Sequence, residues 1–516
     1  MTHLRSRRRR MLALPAGLAL TVSLGFLPTG TATAATAAGS VPAAAVATDG
    51  PKLSYVVNTS GGRSTVSSVK KAIAKAGGAI VTSYDQIGVI VVTSQNPEFA
   101  RTVRKVRGVD SAGATRTAPM AAQSTTDIGA PKVLSDKEVA AATAKAAANK
   151  AADQDPLEPL QWDLPAIKAD KAHEKSLGSR NVTVAVIDTG VDDTHPDIAP
   201  NFDRAASVNC VGGKPDTTDG AWRPGTGESP HGTHVAGEIA AAKNGVGVTG
   251  VAPGVKVSGI KVSTPAGFFY TEAVVCGFVW AAEHGVDVTN NSYYTDPWYF
   301  NCKNDPDQKA LVEAVSRATR YAEKKGAVNV AAAGNENYDL ASDSITDPSS
   351  PNDTTPGDRV IDPSECLDIP TQLPGVVTVA STGAKGLKSS FSNYGLGVVD
   401  IAAPGGDSTR LQTPAPPAVS GLILGPLPGG QYGYMAGTSM ASPHVAGVAA
   451  LLKSTHPYAS PLVIKALLSL QADDTACPKP YDIDGDGEVD AVCEGGKQYN
   501  GFYGAGLVDA LAAVRG

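Results

Sequence analysis

The sequence predicts an α/β protein: a doubly wound, mostly parallel sheet with helices on both faces, preceded by a smaller α+β domain. Three observations predict it. Apolar, β-branched runs at residues 182–187, 255–261, 286–290, 327–332 and 376–380 have strand length and turn signals at their ends. Alanine-rich stretches of helical character at 235–242, 270–283 and 308–325 fall between them, and such alternation covers a parallel sheet on both faces. Ahead of these, residues 52–116 carry a separate pattern of short strands and helices. A chain of 516 residues has room for both units.

The chain opens with Arg5 and Arg7 to Arg10, an apolar stretch over 11–27 and the small-residue run Ala32-Thr33-Ala34. That order is a signal peptide, assigned to 1–35. Its apolar part is short and broken by Pro15 and Gly17, a poor bilayer span, and no other stretch is long and apolar enough to cross one. Arg8-Arg9-Arg10-Met11-Leu12 suits twin-arginine export as well as the general route. Removing 1–35 takes five arginines and no acid, so the formal charge moves from −6 to −11. An acidic secreted chain excludes nucleic acid and, once the signal is gone, an anionic membrane as partners.

The first domain is assigned to 50–120. Residues 53–57, 79–82, 88–92 and 109–112 read as strands. Val66, Val69, Ala72 and Ile73 sit at helical spacing within 64–75, and 97–106 reads as a second helix. The resulting βαββαβ order is ferredoxin-like. Residues 121–156 are rich in Ala, Lys and Thr and poor in large apolar side chains, so they form a linker or a solvent-exposed helix. The main domain takes 157–516.

Its chemistry starts at Gly437-Thr438-Ser439-Met440-Ala441-Ser442-Pro443-His444-Val445-Ala446, a serine hydroxyl between a glycine-led turn and a helix-like stretch. Serine needs a base to take its proton and donors to hold the oxyanion, and a helix N-terminus supplies N–H groups and a positive dipole end. Val184-Ala185-Val186-Ile187-Asp188-Thr189-Gly190 ends an apolar strand in a carboxylate, at the edge where α/β sheets present reactive groups. His231-Gly232-Thr233-His234-Val235-Ala236-Gly237 opens another helix with a histidine. The order Asp, His, Ser is that of subtilisin.

Together with Ala331-Ala332-Ala333-Gly334-Asn335-Glu336, these segments resemble the subtilisin-like serine peptidases (the subtilase family) over residues 162–514. The resemblance implies a serine endopeptidase in which Ser439 is the nucleophile, His231 the base and then acid, and Asp188 the residue that orients the imidazole. Asn335 would donate its amide to the oxyanion beside the Ser439 N–H. It also implies that 50–120 is an inhibitory propeptide, cut away by self-processing within 121–156; an unrelated α+β binding domain is the alternative. The mature enzyme would be a monomer acting on protein or peptide substrates, with no cofactor needed for the chemistry.

Specificity is where the chain leaves the family pattern. Many members follow the third strand with Ser-Leu-Gly-Gly, whereas here Ser292-Tyr293-Tyr294-Thr295 stands. A tyrosine at a glycine position would narrow the subsite for the residue before the scissile bond, unless the ring turns away. Gly334 is expected among the substrate-binding residues, and Ala266-Gly267-Phe268 resembles the segment that pairs with substrate as an added strand. The acidic insertion over 339–368 either borders the cleft, favouring basic substrates, or is solvated. Two alternative readings remain: a narrow-specificity maturation protease, and a catalytically silent peptide-binding relative.

Structural calcium is the one cofactor expectation. Asp197 and Asn244 match side-chain ligands of a calcium site common in the family, with carbonyls of Ala242, Val246 and Val248 to complete it. Its N-terminal ligand falls near Glu158 or Gln161, and Lys243 would oppose a cation if it turned inward. Asp482, Asp484, Asp486, Glu488 and Asp490 follow the first nine positions of an EF-hand-type loop, with Cys493 instead of glutamate at the twelfth. Six cysteines suit an exported chain and allow fifteen pairings. Cys477–Cys493 would bracket the acidic turn and Cys302–Cys366 would join two insertions, leaving Cys210–Cys276.

Overall fold

The computed structural model describes residues 50–119, 130–148 and 154–515; the signal peptide expected over 1–35 lies outside them. The N-terminal domain runs β1 (Leu53–Thr59), α1 (Arg63–Lys75), β2 (Gly78–Tyr84), β3 (Val89–Ser94), α2 (Phe99–Val103) and β4 (Val109–Ala114). Its antiparallel sheet has the order β2-β3-β1-β4, the ferredoxin-like arrangement expected. Strand alternation sorts its two faces: Tyr55, Val57, Ile90 and Val92 pack on Val66, Val69 and Ile73 of α1.

The linker is more ordered than its composition suggests. Lys132–Val133 forms β5, and α3 (Asp136–Ala148) follows behind a reciprocal capping box. In that box the Ser135 N–H donates to Glu138 Oε2 at 2.8 Å and the Glu138 N–H to Ser135 Oγ at 3.3 Å. No residue of α3 is fully buried, as its alanine-rich sequence predicts.

The main domain begins with two short helices, α4 (Asp163–Ala166) and α5 (Ala169–His173). It continues through β6 (Thr183–Asp188), β7 (Val208–Asn209), α6 (His231–Ala240), β8 (Lys256–Lys261), α7 (Thr271–Glu283) and β9 (Val288–Asn291). Next come β10 (Asn301–Cys302), α8 (Pro306–Lys324), β11 (Val328–Ala332), β12 (Ile345–Asp347), β13 (Arg359–Ile361) and β14 (Cys366–Leu367). The last elements are β15 (Val376–Thr382), β16 (Ile401–Pro404), β17 (Ile423–Leu427), β18 (Gln431–Met435), α9 (Thr438–Thr455), α10 (Pro461–Gln471) and α11 (Ala510–Ala513). Seven strands make one sheet in the order β16-β15-β11-β9-β6-β8-β7, every neighbour parallel.

Both faces of this sheet are dry, as its continuous apolar runs require. Val184 and Val186 of β6 pack under α6 and α9 with Val235, Ile239, Val445 and Ala449. Ala185 and Ile187 point the other way, to Val274 and Phe278 of α7 and Leu311 and Val315 of α8. The five strands read from sequence are the five central ones; the short edge strands and the β17–β18 hairpin, which β5 extends, carry too little pattern to be read.

The free face of the N-terminal sheet lies on α7 and α8. Val56, Val89 and Val91 share a core with Ala273, Ala310 and Ala314. Polar bonds fix the register. Asn58 Nδ2 donates to the Ala310 carbonyl at 2.9 Å, and Arg317 joins Asp110 at 2.7 Å and the Thr59 carbonyl at 2.9 Å. Arg104 pairs with Asp307, and Arg116 pairs with buried Glu272 while stacking 4.0 Å over the Tyr270 ring. Three disulfides are present: Cys210–Cys276, Cys302–Cys366 and Cys477–Cys493.

Candidate active site

Three of the candidate residues sit where the fold presents reactive groups. Asp188 is the last residue of β6, His231 the first of α6 and Ser439 the second of α9. The Asp188 and His231 side chains are fully buried, and His231 Nδ1 donates to Asp188 Oδ1 at 2.8 Å. The same oxygen accepts the Thr189 N–H at 2.7 Å, which holds the carboxylate in place. A proton fixed on Nδ1 leaves Nε2 as the basic nitrogen, and it has no hydrogen-bond partner among the described residues.

Ser439 is 8% exposed, and its hydroxyl donates to the Ser292 carbonyl at 3.3 Å, long for an O–H···O bond and readily released. The start of α9 is pinned to the end of β9. Ser292 Oγ donates to the Ser439 carbonyl at 2.9 Å, and Ser442 Oγ to Asn290 Oδ1 at 2.7 Å. Asn335 follows β11, and its amide orientation is set by Thr438, whose N–H and Oγ both donate to Asn335 Oδ1 at 2.8 and 2.9 Å. The Nδ2 end therefore faces the serine: a point at the missing Cβ of Gly437 is 3.5 Å from both Asn335 Nδ2 and the Ser439 N. Gly334 must be glycine, because φ is +100° and a side chain would collide with Tyr299 Oη and Asn393 Nδ2.

Two other motif histidines face away from this site. His234 Nε2 donates to the Gly433 carbonyl at 3.1 Å, so its Nδ1 accepts, and Glu238 at 2.6 Å must supply the proton. Burial agrees: it pushes His234 down to about 3 and holds the Glu238 carboxyl well above its usual range. His444 Nε2 meets Asp163 Oδ2 at 3.1 Å, also inside the core.

The substrate wall differs from expectation. Tyr293 does not line the cleft. Alternation past β9 turns it inward, where it stacks on Phe269 with centroids 4.7 Å apart and donates to Asn291 Oδ1 at 3.0 Å. Tyr294 is half-buried, 4.6 Å from the Tyr299 ring, and its hydroxyl accepts from Asn352 Nδ2 at 3.0 Å. Gly267 and Phe268 form a tight turn rather than an open strand. Their N–H groups go to the Thr264 carbonyl at 2.9 Å and Thr264 Oγ1 at 3.0 Å, and the Phe268 ring is buried against Tyr270.

At the expected calcium loop, Asp197 is fully buried and its Oδ1 has no hydrogen-bond partner among the described residues. Burial, with Asp155 nearby, pushes its carboxyl up to about 7. Asn244 Oδ1 accepts the Val246 N–H at 3.0 Å. The N-terminal group differs from both residues expected. Gln161 is spent on the N–H and carbonyl of Thr249, each at 2.9 Å, and Glu158 on the Asp155 N–H at 3.0 Å. Asp155 instead accepts from the Gly245 N–H and Thr249 Oγ1, both at 2.6 Å, while Lys243 turns to Glu158 at 3.5 Å. In the C-terminal loop Asp482, Asp484 and Asp490 converge within 4.8 Å. Asp486 and Glu488 do not join them; Asp486 Oδ1 accepts the Glu488 N–H at 2.8 Å instead.

Residues 179–506 match the subtilase family. The chain is 31% identical to the M-protease of Shouchella clausii (strain KSM-K16) over 356 residues, 69% of this chain and 70% of that one. It is 30% identical to subtilisin Savinase of Lederbergia lenta over 69% of this chain and 99% of that one. Among solved structures, the epidermin leader peptide processing serine protease of Staphylococcus aureus has a TM-score of 0.64 at 24% identity, covering 90% of this chain and 99% of that one. Fervidolysin from Fervidobacterium pennivorans has a TM-score of 0.58 at 25% identity, over 90% and 61%. With its parallel sheet and the hydroxyl, imidazole and carboxylate at the ends of α9, α6 and β6, the chain belongs to the subtilase family and is a serine endopeptidase.

Proposed function

We propose that the protein is secreted, is made as a zymogen and cleaves peptide bonds through an acyl-enzyme on Ser439. The observation that carries this is the buried bond from His231 Nδ1 to Asp188, which leaves Nε2 ready to take a proton. The Ser439 hydroxyl turns from the Ser292 carbonyl to His231, loses its proton to Nε2 and attacks the scissile carbonyl. The oxyanion settles between the Ser439 N–H and Asn335 Nδ2. His231 then hands the proton to the leaving amine, and water repeats the sequence to release the acid. Labelling of the mature protein at Ser439 by a fluorophosphonate probe tests this assignment; an unlabelled Ser439 overturns it.

The N-terminal domain acts as the inhibitory propeptide. Its charged contacts to α7 and α8, and the two N–H groups of Thr117 and Ala118 aimed at Asp353 Oδ2 (2.7 and 3.4 Å), support that role. Maturation cuts the chain within 121–156. Secretion fits the basic and apolar start and the three disulfides. A narrow maturation role is the second reading, favoured by the half-buried Tyr294 at the wall. Asn335→Ala is expected to lower kcat about 10²–10³-fold with little change in KM, the magnitude known for this donor in subtilisin itself. Steady-state kinetics on a peptide amide checks it.

The loop at Asp197 fits calcium, because a buried, unpartnered carboxylate oxygen beside a second carboxylate calls for a cation. Asp155, Asp197 and Asn244 would hold it, and Asp482, Asp484 and Asp490 would hold another. Autolysis of the wild type would obscure the measurement, so thermal unfolding of the Ser439→Ala chain is the assay. Calcium at about a hundredfold excess over Kd is expected to add roughly 2.7 kcal/mol, a rise of several degrees in Tm. That figure is per site, so Asp197→Ala removes only the first site's share of the rise; an unchanged Tm in the parent chain refutes the sites.

A further inference from the structure

We infer that the substrate residue on the acyl side of the scissile bond is cationic, an arginine or lysine held by Asp368 and Glu336. The inference rests on the proposed role of Ser439 and names the substrate class for that site.

Three segments meet beside Ser439, each at the carboxyl end of a central strand or leading into its neighbour. Ser292–Thr295 leaves β9, Ala333–Glu336 leaves β11 and Asp368–Thr371 runs toward β15. They are bonded to one another: the Thr295 N–H donates to the Ile369 carbonyl at 2.8 Å, and Thr371 Oγ1 to the Ala332 carbonyl at 2.9 Å. The Cys302–Cys366 disulfide and the β10–β14 pair, with Asn301 opposite Leu367, then bring Tyr299 and Asp368 to the same place. Tyr299 Oη donates to Glu336 Oε2, which also accepts the Asn335 N–H at 2.9 Å. Glu336 is thus anchored next to the oxyanion donor. Its side chain stays accessible.

Asp368 is 2% exposed, and its Oδ1 has no hydrogen-bond partner among the described residues. Burial and the neighbouring Glu336 push its carboxyl well above the usual range, so the two acids lie close enough to oppose each other's ionisation. The one arginine of this insertion is committed elsewhere: Arg359 Nη2 bonds Asp347 at 2.7 Å and the Phe300 carbonyl at 3.0 Å. A buried carboxylate beside a second, accessible one is costly when no counter-charge stands near it among the described residues, and an incoming cation removes the cost. A guanidinium matches it best, because its planar fork of donors fits carboxylates. Trypsin selects basic side chains with an aspartate in its pocket by the same physics.

Cleavage profiling of the mature enzyme on a peptide library is the test. Arginine or lysine before the cut is expected to exceed leucine and phenylalanine by at least about 100-fold in kcat/KM, and Asp368→Asn to cut that ratio about 100-fold. Should Asp368→Asn fail to mature, Glu336→Gln, at an accessible position, is expected to lower the ratio about tenfold. Equal cleavage after leucine and arginine, or a ratio unmoved by Glu336→Gln, overturns the inference. Fluorophosphonate labelling of the wild-type enzyme separates the two failures: labelled Ser439 without a basic preference leaves the triad standing, while no labelling removes the triad itself.

Discussion

Ser439→Ala is expected to lower kcat by about 10⁶-fold and to leave the chain as an uncut zymogen. Removing the nucleophile of subtilisin costs about 2 × 10⁶ in kcat, roughly 8.6 kcal/mol of barrier. The same loss is expected here, because the hydroxyl is the only part of the residue that reacts. The N–H that holds the oxyanion belongs to the backbone and survives, so a residual 10³–10⁴-fold acceleration over water is expected to remain. Stability should barely change: the side chain makes one long bond, 3.3 Å to the Ser292 carbonyl, and the anchors from Ser292 Oγ and Ser442 are untouched. A chain that still unfolds cooperatively, with proteolysis lost and the N-terminal domain still attached, is the expected result. Adding His231→Ala should cost almost nothing more, since the two residues act as one unit. Retained turnover in the single variant would assign the nucleophile elsewhere.

The proposed reacting groups stand out in the sequence because each lies at the end of an element that announces itself. Asp188 closes a continuous apolar run, and His231 and Ser439 open helices. What the sequence hid depends on contacts between distant segments. Tyr293 and Tyr294 are adjacent, but which one faces the cleft follows from strand alternation carried past β9 and from the waiting Phe269 ring. Asp155 lies in an acidic stretch with no motif, and becomes a candidate ligand only when the loop at Gly245 closes on it across 90 residues. Asp368 looked like one more acid of a polar insertion. The disulfide and the two-residue β10–β14 pair are what bury it beside Glu336.

Asp188→Asn is expected to lower kcat by about 10⁴-fold while KM stays nearly constant. Two causes compete for such a loss, a wrong imidazole tautomer and a missing charge, and the geometry chooses between them. Asp188 Oδ1 accepts two N–H groups, from Thr189 at 2.7 Å and from His231 Nδ1 at 2.8 Å. An asparagine oxygen in that position keeps both bonds, whereas a flipped amide would set an N–H against the Thr189 N–H. The Nδ1–H tautomer is therefore retained, and the variant loses the negative charge. That charge matters only when His231 has taken the serine proton, as an imidazolium with no exposed surface beside a carboxylate with none. An unpaired cation there is far costlier than in water. Because the interaction exists in the transition state and not with bound substrate, its removal falls on kcat. Asp188→Ala, which removes charge and orientation together, should then be no more than about tenfold worse than Asp188→Asn; an alanine variant that outperforms asparagine would restore the tautomer explanation.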